Sequence, residues 1–279
     1  MAQPTLLVVH AHPDDEVFST GGMLAKYASQ GYRVVVVYGT RGEEGEIHLP
    51  EGEALRSRLG EIREAEVREA TELLGINDIR FLGYRDSGMA ETEANANPAA
   101  FANAPLDEAT GRLVDIMRDV QPQVVVAYDE SGGYGHPDHI MSHKVATAAF
   151  QQLHGQPGGP QKLYYSTRSR DAFRRYVTAM REIGQDLPWL TEDFDFDAMG
   201  TPDNEISTFI DITPFAPLKK RALAVHRSQI SPDFFYLNFP DEWLSQYDGT
   251  EYFNLITPAG IDGREHDLFA GVRLDEAAA

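Results

Sequence analysis

Residues 5–17 read TLLVVHAHPDDEV. A short apolar run of strand length ends in two histidines, a proline, two aspartates and a glutamate. Strands covered on both faces of a parallel sheet are continuous apolar runs rather than alternating ones. Ionisable groups crowded this closely repel one another and resist burial, so the end of this run calls for a counter-charge rather than for packing. RVVVVYGT (33–40) repeats the apolar run. Between the two, GGMLAKYASQG (21–31) carries Met23, Leu24 and Tyr27 at helical spacing, with Gly31 as its stop. Strand, helix and strand in such close succession predict a βαβ crossover and a parallel sheet.

The pattern recurs. ALRSRLGEIREAEVREATELLG (54–75) reads as a long charged helix, DIRFLG (78–83) as a strand and residues near 107–120 as a helix. QVVVAYD (123–129) is the next buried strand, and DHIMSHKVATAAFQQL (138–153) the helix after it. HGQPGGPQ (154–161) is a break. Beyond it KLYYST (162–167), ISTFID (206–211) and YFNLI (252–256) read as strands, and residues near 168–184 and PLKKRALAVHRSQ (217–229) as helices. The alternation predicts an α/β fold, a Rossmann-like three-layer sandwich with a mainly parallel sheet. We read 1–279 as a single domain, with a core at 1–153 that carries the site. A C-terminal extension at 162–279 completes the domain and walls the site. Residues 88–106, rich in Ala, Asn and Pro, fit no period and read either as a mobile loop over a cleft or as a surface insertion.

The 279 residues have ordinary apolar and charged fractions, 42% and 24%, but a formal charge of −20. That charge argues against a nucleic-acid or anionic-membrane partner, both of which call for a basic face. With no cysteine, disulfides and cysteine-ligated zinc are excluded. MAQPTLLVV lacks the basic and apolar segments of a signal peptide, and no apolar run approaches the length of a membrane span, so a cytoplasmic protein is expected.

In open parallel sheets, ligands bind beyond the carboxyl ends of the strands. AHPDDE (11–16) follows the first strand, YDESGGYGHPDHIMSH (128–143) grows out of QVVVAYD, and HPD occurs in both, at 12–14 and 136–138. If those strands are neighbours, two clusters of His and Asp meet at one edge. A divalent cation accounts for the crowding, since zinc takes imidazole nitrogen and carboxylate oxygen and its catalytic sites use three protein ligands. His12 and Asp15 can aim at one ion across a proline-stiffened turn, with His139 as a third ligand. Asp14, beside a ligand, is then free to accept a proton from the attacking water. His139 and His143 have the spacing of a zinc-protease pair, but Ile140 stands where that motif needs glutamate, so His143 is expected behind the site or in packing. His10 is expected to be structural. No G-x-S-x-G elbow is present, and GTRGEEGE (39–46) lacks the spacing of a phosphate loop.

AHPDDE followed by GGYGHPDH resembles the LmbE-like, or PIG-L, family of zinc-dependent N-deacetylases, strongly over about residues 5–150 and loosely beyond. GEEGE (42–46), RDSGM (85–89), YDESGGYGHPDH and EHDLFAG (265–271) are similar to the mycothiol-pathway branch. That branch holds the deacetylase of N-acetylglucosaminyl-inositol and the mycothiol S-conjugate amidase. The amidase carries a lysine shortly after HPDDE, and PHPDH in its second motif; HPDDEVFSTGG and GHPDH are nearer the deacetylase.

The resemblance implies a hydrolase that removes the acetyl group from an N-acetylglucosaminide of the thiol-precursor type, leaving a free amine and acetate. It implies zinc, with iron(II) as the alternative ion in the cell, on His12, Asp15 and His139, and Asp14 as general base. It makes His136 the oxyanion donor with Asp138 behind the histidine pair. Tyr134, on a mobile loop, polarises the carbonyl or assists the leaving amine. Arg63 and Asp86 fall where the family holds the sugar and its aglycone, and Ser19, Glu43 and Glu46 fall near the same pocket. Glu16 is expected to orient its neighbours. The partner is then a small amino-sugar substrate, and assembly into a homo-oligomer is left open. The alternatives are the amidase, a deacetylase of the bacillithiol pathway or of a sugar antibiotic, and a non-catalytic sugar-binding protein.

Overall fold

The computed structural model describes residues 3–185, 187, 190–191, 194–196, 200–258 and 263–274. Strand β1 (Thr5–His10) is buried along its whole length because it lies between β2 (Arg33–Tyr38) and β4 (Val124–Tyr128), parallel to both. β3 (Asp78–Phe81), β5 (Lys162–Thr167), β6 (Thr208–Asp211) and β7 (Thr250–Thr257) complete a seven-stranded sheet of order β3-β2-β1-β4-β5-β7-β6. The first five pair in parallel, whereas β7 runs antiparallel to both β5 and β6.

This order places the site. From β1 the chain winds outward one way through β2 and β3, then returns to lay β4 on the other side of β1. The crevice where winding reverses lies past the carboxyl ends of β1 and β4, the strands that the two HPD segments follow.

Successive strand residues point to opposite faces. Leu6 and Val8 pack with α1 (Asp15–Ser29), α2 (Leu59–Leu73) and α6 (Ala216–Leu223). Leu7 and Val9 pack with α3 (Leu106–Val120) and α4 (Pro137–Leu153). Each fully buried Leu or Val contributes about 1.5–3 kcal/mol relative to exposure, so a charge at Leu7 would break this layer. α5 (Arg170–Glu182) and α7 (Asp241–Tyr247) join the first face.

Three elements depart from the sequence reading. α1 starts at Asp15, inside the acidic motif, and not at Gly21; Asp15 and Glu16 occupy its first turn, where the helix dipole favours negative charge. Residues 52–58 form a 3-10 helix, and α2 begins at Leu59. α6 ends at Leu223, so residues 226–229 lie beyond the helix; the Ser228 N–H bonds Glu66 of α2 instead of continuing the helix. The stretch 88–106 is seated at its far end: Phe101 is buried and stacks on Tyr84, and its N–H donates to the Arg85 carbonyl at 2.8 Å. Among the described residues no helix is long and apolar enough to cross a membrane.

Candidate active site

The first HPD segment turns off β1 through a left-handed residue. Asp14 has φ 106° and ψ −28°, a conformation that costs a non-glycine residue about 1–3 kcal/mol and persists only where its surroundings impose it. They do so from three sides. The Asp14 N–H donates to Glu16 Oε2 at 2.9 Å, and the Asp14 carbonyl accepts from Val17 N–H at 3.0 Å. Arg63 Nη2 donates to the Pro13 carbonyl at 2.5 Å and to Asp14 Oδ2 at 3.2 Å. Arg63 Nη1 donates to the Gly42 carbonyl at 2.8 Å, and a Cβ on Gly42 (φ +69°) would lie 2.3 Å from the guanidinium. Asp15 turns back, its Oδ2 accepting from His12 N–H at 2.8 Å.

The second segment is a helix start of another kind. His136 caps α4, its Nδ1 accepting from Asp138 N–H at 3.1 Å, with Pro137 as the first helical residue. Asp138 is buried and accepts from Ser87 N–H at 2.9 Å and from the Ser87 hydroxyl. One turn upstream Gly132 (φ +64°) lets its carbonyl reach His139 Nδ1 at 3.0 Å; a Cβ there would meet His139 Cβ at 2.7 Å.

These two starts converge. Asp15 Oδ2 lies 3.4 Å from His12 Nδ1, and Asp15 Oδ1 lies 3.3 Å from His139 Nε2. His12 Nε2 lies 3.2 Å from Asp138 Oδ2 and 3.5 Å from Asp86 Oδ1. His12, His136 and His139 offer ring nitrogens within 4.8 Å of one another, as do His12, Asp86 and Asp138 their ligand atoms.

The protein's own charges set the protonation. Burial opposes a charge on His12, but Asp86, Asp138 and Asp15 outweigh it and hold the imidazole well above its usual range. Burial likewise opposes ionisation of Asp15, yet His139 and His12 hold its carboxyl well below the usual range. Asp86 is held low against its own burial by His12 and by hydrogen bonds from Gly88 and Glu44 N–H. Asp14 goes the other way: burial raises it to about 6, with Arg63 opposing and Asp15 adding to the rise. Burial, then the charges of His12 and His139, lower His136 to about 4, so it is neutral near pH 7.

The donor set fits a divalent cation. His139 Nδ1 faces a carbonyl and donates its proton there, so Nε2 is the nitrogen left to meet a cation, whose charge takes the place of a proton at that atom. That Nε2 is buried with no hydrogen-bond partner among the described residues and faces Asp15, as in a histidine ligand oriented by a backbone carbonyl. His136 is built differently. Neutral, with Nδ1 accepting from a backbone N–H, it carries its proton on Nε2 and offers a donor there instead of a lone pair.

A model of the PIG-L family, described as GlcNAc-PI de-N-acetylase, matches residues 7–150. The chain belongs to this family. Among curated relatives, 1D-myo-inositol 2-acetamido-2-deoxy-alpha-D-glucopyranoside deacetylase of Acidothermus cellulolyticus is 45% identical over 98% of this chain and 97% of its own. The protein of the same name from Geodermatophilus obscurus is 40% identical over 96% and 97%. Among solved structures, N,N'-diacetylchitobiose deacetylase from Pyrococcus horikoshii superposes with a TM-score of 0.58 at 25% identity, covering 91% of this chain and 87% of that one. The 4-carboxy-2-hydroxymuconate hydratase GalB of Pseudomonas putida, 20% identical with a TM-score of 0.59 over 94% and 99%, shares the fold alone. Fold therefore does not decide the reaction, and the site must.

The residues expected from the PIG-L motifs divide into two groups. His12, Asp15, His136, Asp138 and His139 meet in the crevice, while Asp14, on the same turn, sets its carboxylate against Arg63. Tyr134 is on the Asp129–Gly135 loop, 67% exposed, with its ring 4.9 Å from that of His139. Burial, then the charge of Asp15, raises its hydroxyl to about 12. Asp86 is buried beside His12, its Oδ1 3.5 Å from His12 Nε2. Arg63 is also buried, with its guanidinium already engaged by Pro13, Asp14 and Gly42. Glu43 Oε2 accepts from Asp86 N–H at 3.1 Å, and Ser19 Oγ donates to the Asp15 carbonyl at 3.1 Å. Glu46 points to solvent beside His48, its side chain 84% exposed. His10 is buried between Tyr128 and Thr20, and His143 Nδ1 bonds the Tyr128 carbonyl, both as expected. Ser87 and His226 carry no motif of their own in the sequence. Ser87 sits inside RDSGM beside Asp86, and His226 sits in a segment whose spacing predicts a helix.

Proposed function

We propose that the protein hydrolyses the acetamide of a 2-acetamido-2-deoxyglucoside carried on a small polyol of the inositol kind, giving a free amino sugar and acetate. In this reading His12, Asp15 and His139 hold zinc, with iron(II) as the alternative ion. The observation that carries the reading is His139 Nε2, buried with no hydrogen-bond partner among the described residues and facing Asp15. When bound, the cation supplies a Lewis acid for the acetamide oxygen and lowers the pKa of water at the site.

The side chains supply the rest. Asp14, carboxylate near pH 7, takes a proton from the attacking water as its oxygen bonds the acetamide carbon. The developing oxyanion accepts a hydrogen bond from His136 Nε2–H, whose direction Asp138 N–H fixes through Nδ1. As the C–N bond breaks, Asp14 returns its proton to the amine nitrogen. Tyr134, exposed beside His136 and His139, adds a hydroxyl donor for the carbonyl or the departing amine. Glu43 and Asp86, joined to each other, offer acceptors for sugar hydroxyls at the cluster's edge. The relatives named above favour the deacetylase over the S-conjugate amidase. We read the whole chain as one cytoplasmic unit in which the segment after β4 walls this site.

Acetate release from a panel of N-acetylglucosaminides, with one thiol conjugate included, tests the reading. Asp14→Ala is expected to keep its metal and to release no acetate. Full activity in that variant sinks the mechanism, and cleavage of the thiol conjugate alone turns the assignment to the amidase.

A further inference from the structure

Glu16 and His226 stand 210 residues apart in sequence, and both are fully buried, with His226 Nε2 2.8 Å from Glu16 Oε1. The other carboxylate oxygen, Oε2, is the one that accepts the Asp14 N–H at 2.9 Å. One carboxylate thus joins the imidazole of the turn after α6 to the backbone of the left-handed residue. A carboxylate in an interior of this kind keeps its place only while it is paired. The turn is itself tied to the elements around the site. Ser228 N–H and Oγ donate to Glu66 at 2.8 and 2.6 Å, and the Ser228 carbonyl accepts from His48 N–H at 2.8 Å. Gln229 Nε2 donates to the Glu46 carbonyl at 2.9 Å. Neither Glu16 nor His226 has surface that a substrate could touch, so any part they take is indirect.

We propose that His226 is a positioning residue for the hydrolysis: through Glu16 it holds Asp14 in the left-handed conformation that sets its carboxylate against Arg63. Without a fixed acceptor for its N–H, Asp14 relaxes towards negative φ and its carboxylate leaves Arg63. The inference rests on the deacetylase reading for its kinetic test, but not for its structural one.

Three variants of the full chain test it: His226→Gln, whose Nε2 can still donate to Glu16; His226→Leu, which cannot; and His226→Asn, polar but too short to reach. His226→Gln is expected to keep kcat within about threefold, while the other two lose it by about 100-fold, the scale of a small misplacement of a reacting group. KM and bound metal per chain are expected to stay at the wild-type level in all three. A crystal structure of His226→Leu is expected to show Asp14 outside the left-handed region. Should that variant not fold, His226→Asn takes its place in both measurements. Wild-type kcat in a folded, metal-loaded Leu or Asn variant overturns the proposal, as does equal damage from Gln, a loss confined to KM, or an Asp14 still left-handed in the variant crystal. Wild-type protein that releases no acetate counts against the deacetylase reading alone, and Asp14's φ in the variant crystal then decides the positioning.

Discussion

Arg63 Nη2 lies 3.2 Å from Asp14 Oδ2 and 2.5 Å from the carbonyl of the preceding Pro13. One guanidinium therefore fixes both the carboxylate proposed as general base and the backbone that presents it. Its charge also opposes the rise that burial imposes on Asp14, which stands at about 6. Asp14 must be ionised to act, so activity rises with pH through its titration. Replacing Arg63 by Met removes the opposing charge and is expected to move the acidic limb of kcat/KM to higher pH, with kcat lowered on the plateau. A pH–rate profile of the two proteins checks it; an unmoved limb contradicts the assignment of Asp14.

Gly132 gives a test of the metal site that needs no turnover. Its carbonyl orients His139, and its missing Cβ leaves room for the His139 backbone. Gly132→Ala is expected to weaken cation affinity by about 10–100-fold, the usual effect of losing the group that orients a histidine ligand. Competition with a chromophoric chelator measures this directly.

Stability has its own test, away from the crevice. Lys219 is buried, with Nζ 3.2 Å from both Asp248 Oδ2 and Glu251 Oε1, and Glu251 in turn accepts the N–H groups of Gly22 and Met23 inside α1. Lys219→Met leaves those carboxylates without their cation and is expected to cost about 3–5 kcal/mol. Urea unfolding reads it as a lower midpoint at unchanged slope.

The Glu16–His226 pair predicts a pH window for the metal-free protein. Burial opposes both charges, yet each partner outweighs it, so His226 is raised above 6.5 and Glu16 lowered below 4.5. The His226 contribution is complete below 6.5 and fades as pH rises through its folded value; the Glu16 contribution is complete above 4.5 and fades as pH falls. The stability difference between wild type and His226→Gln is therefore expected to be largest between these values and to shrink on the alkaline side. Urea midpoints across pH in excess chelator show it, and a difference that grows above pH 8 contradicts the pairing.

The strands and the meeting of the two HPD segments were legible because continuous Val and Leu runs and clustered His and Asp are strong local signals. The start of helix α1 is less legible because an acidic motif resembles loop, although its carboxylates suit a helix start. For Arg63, helical spacing says which face it occupies, but not that Pro13, some fifty residues away in sequence, offers a carbonyl there. His226 left no local mark at all, since its partner lies at the opposite end of the chain. The repeated HPD is informative and also deceptive, because Asp14 is a left-handed residue whose carboxylate meets Arg63 while Asp138 is a buried acceptor for Ser87.

The match to the family model stops at residue 150, yet the partner of Glu16 is at 226. A fragment ending near His154 would keep His12, Asp14, Asp15, His136 and His139 and still lack the imidazole that completes the turn. If His226 positions Asp14 as proposed, hydrolysis reports that folding has reached at least residue 226: a molecule cut short of it would own all five of these side chains and still not hydrolyse.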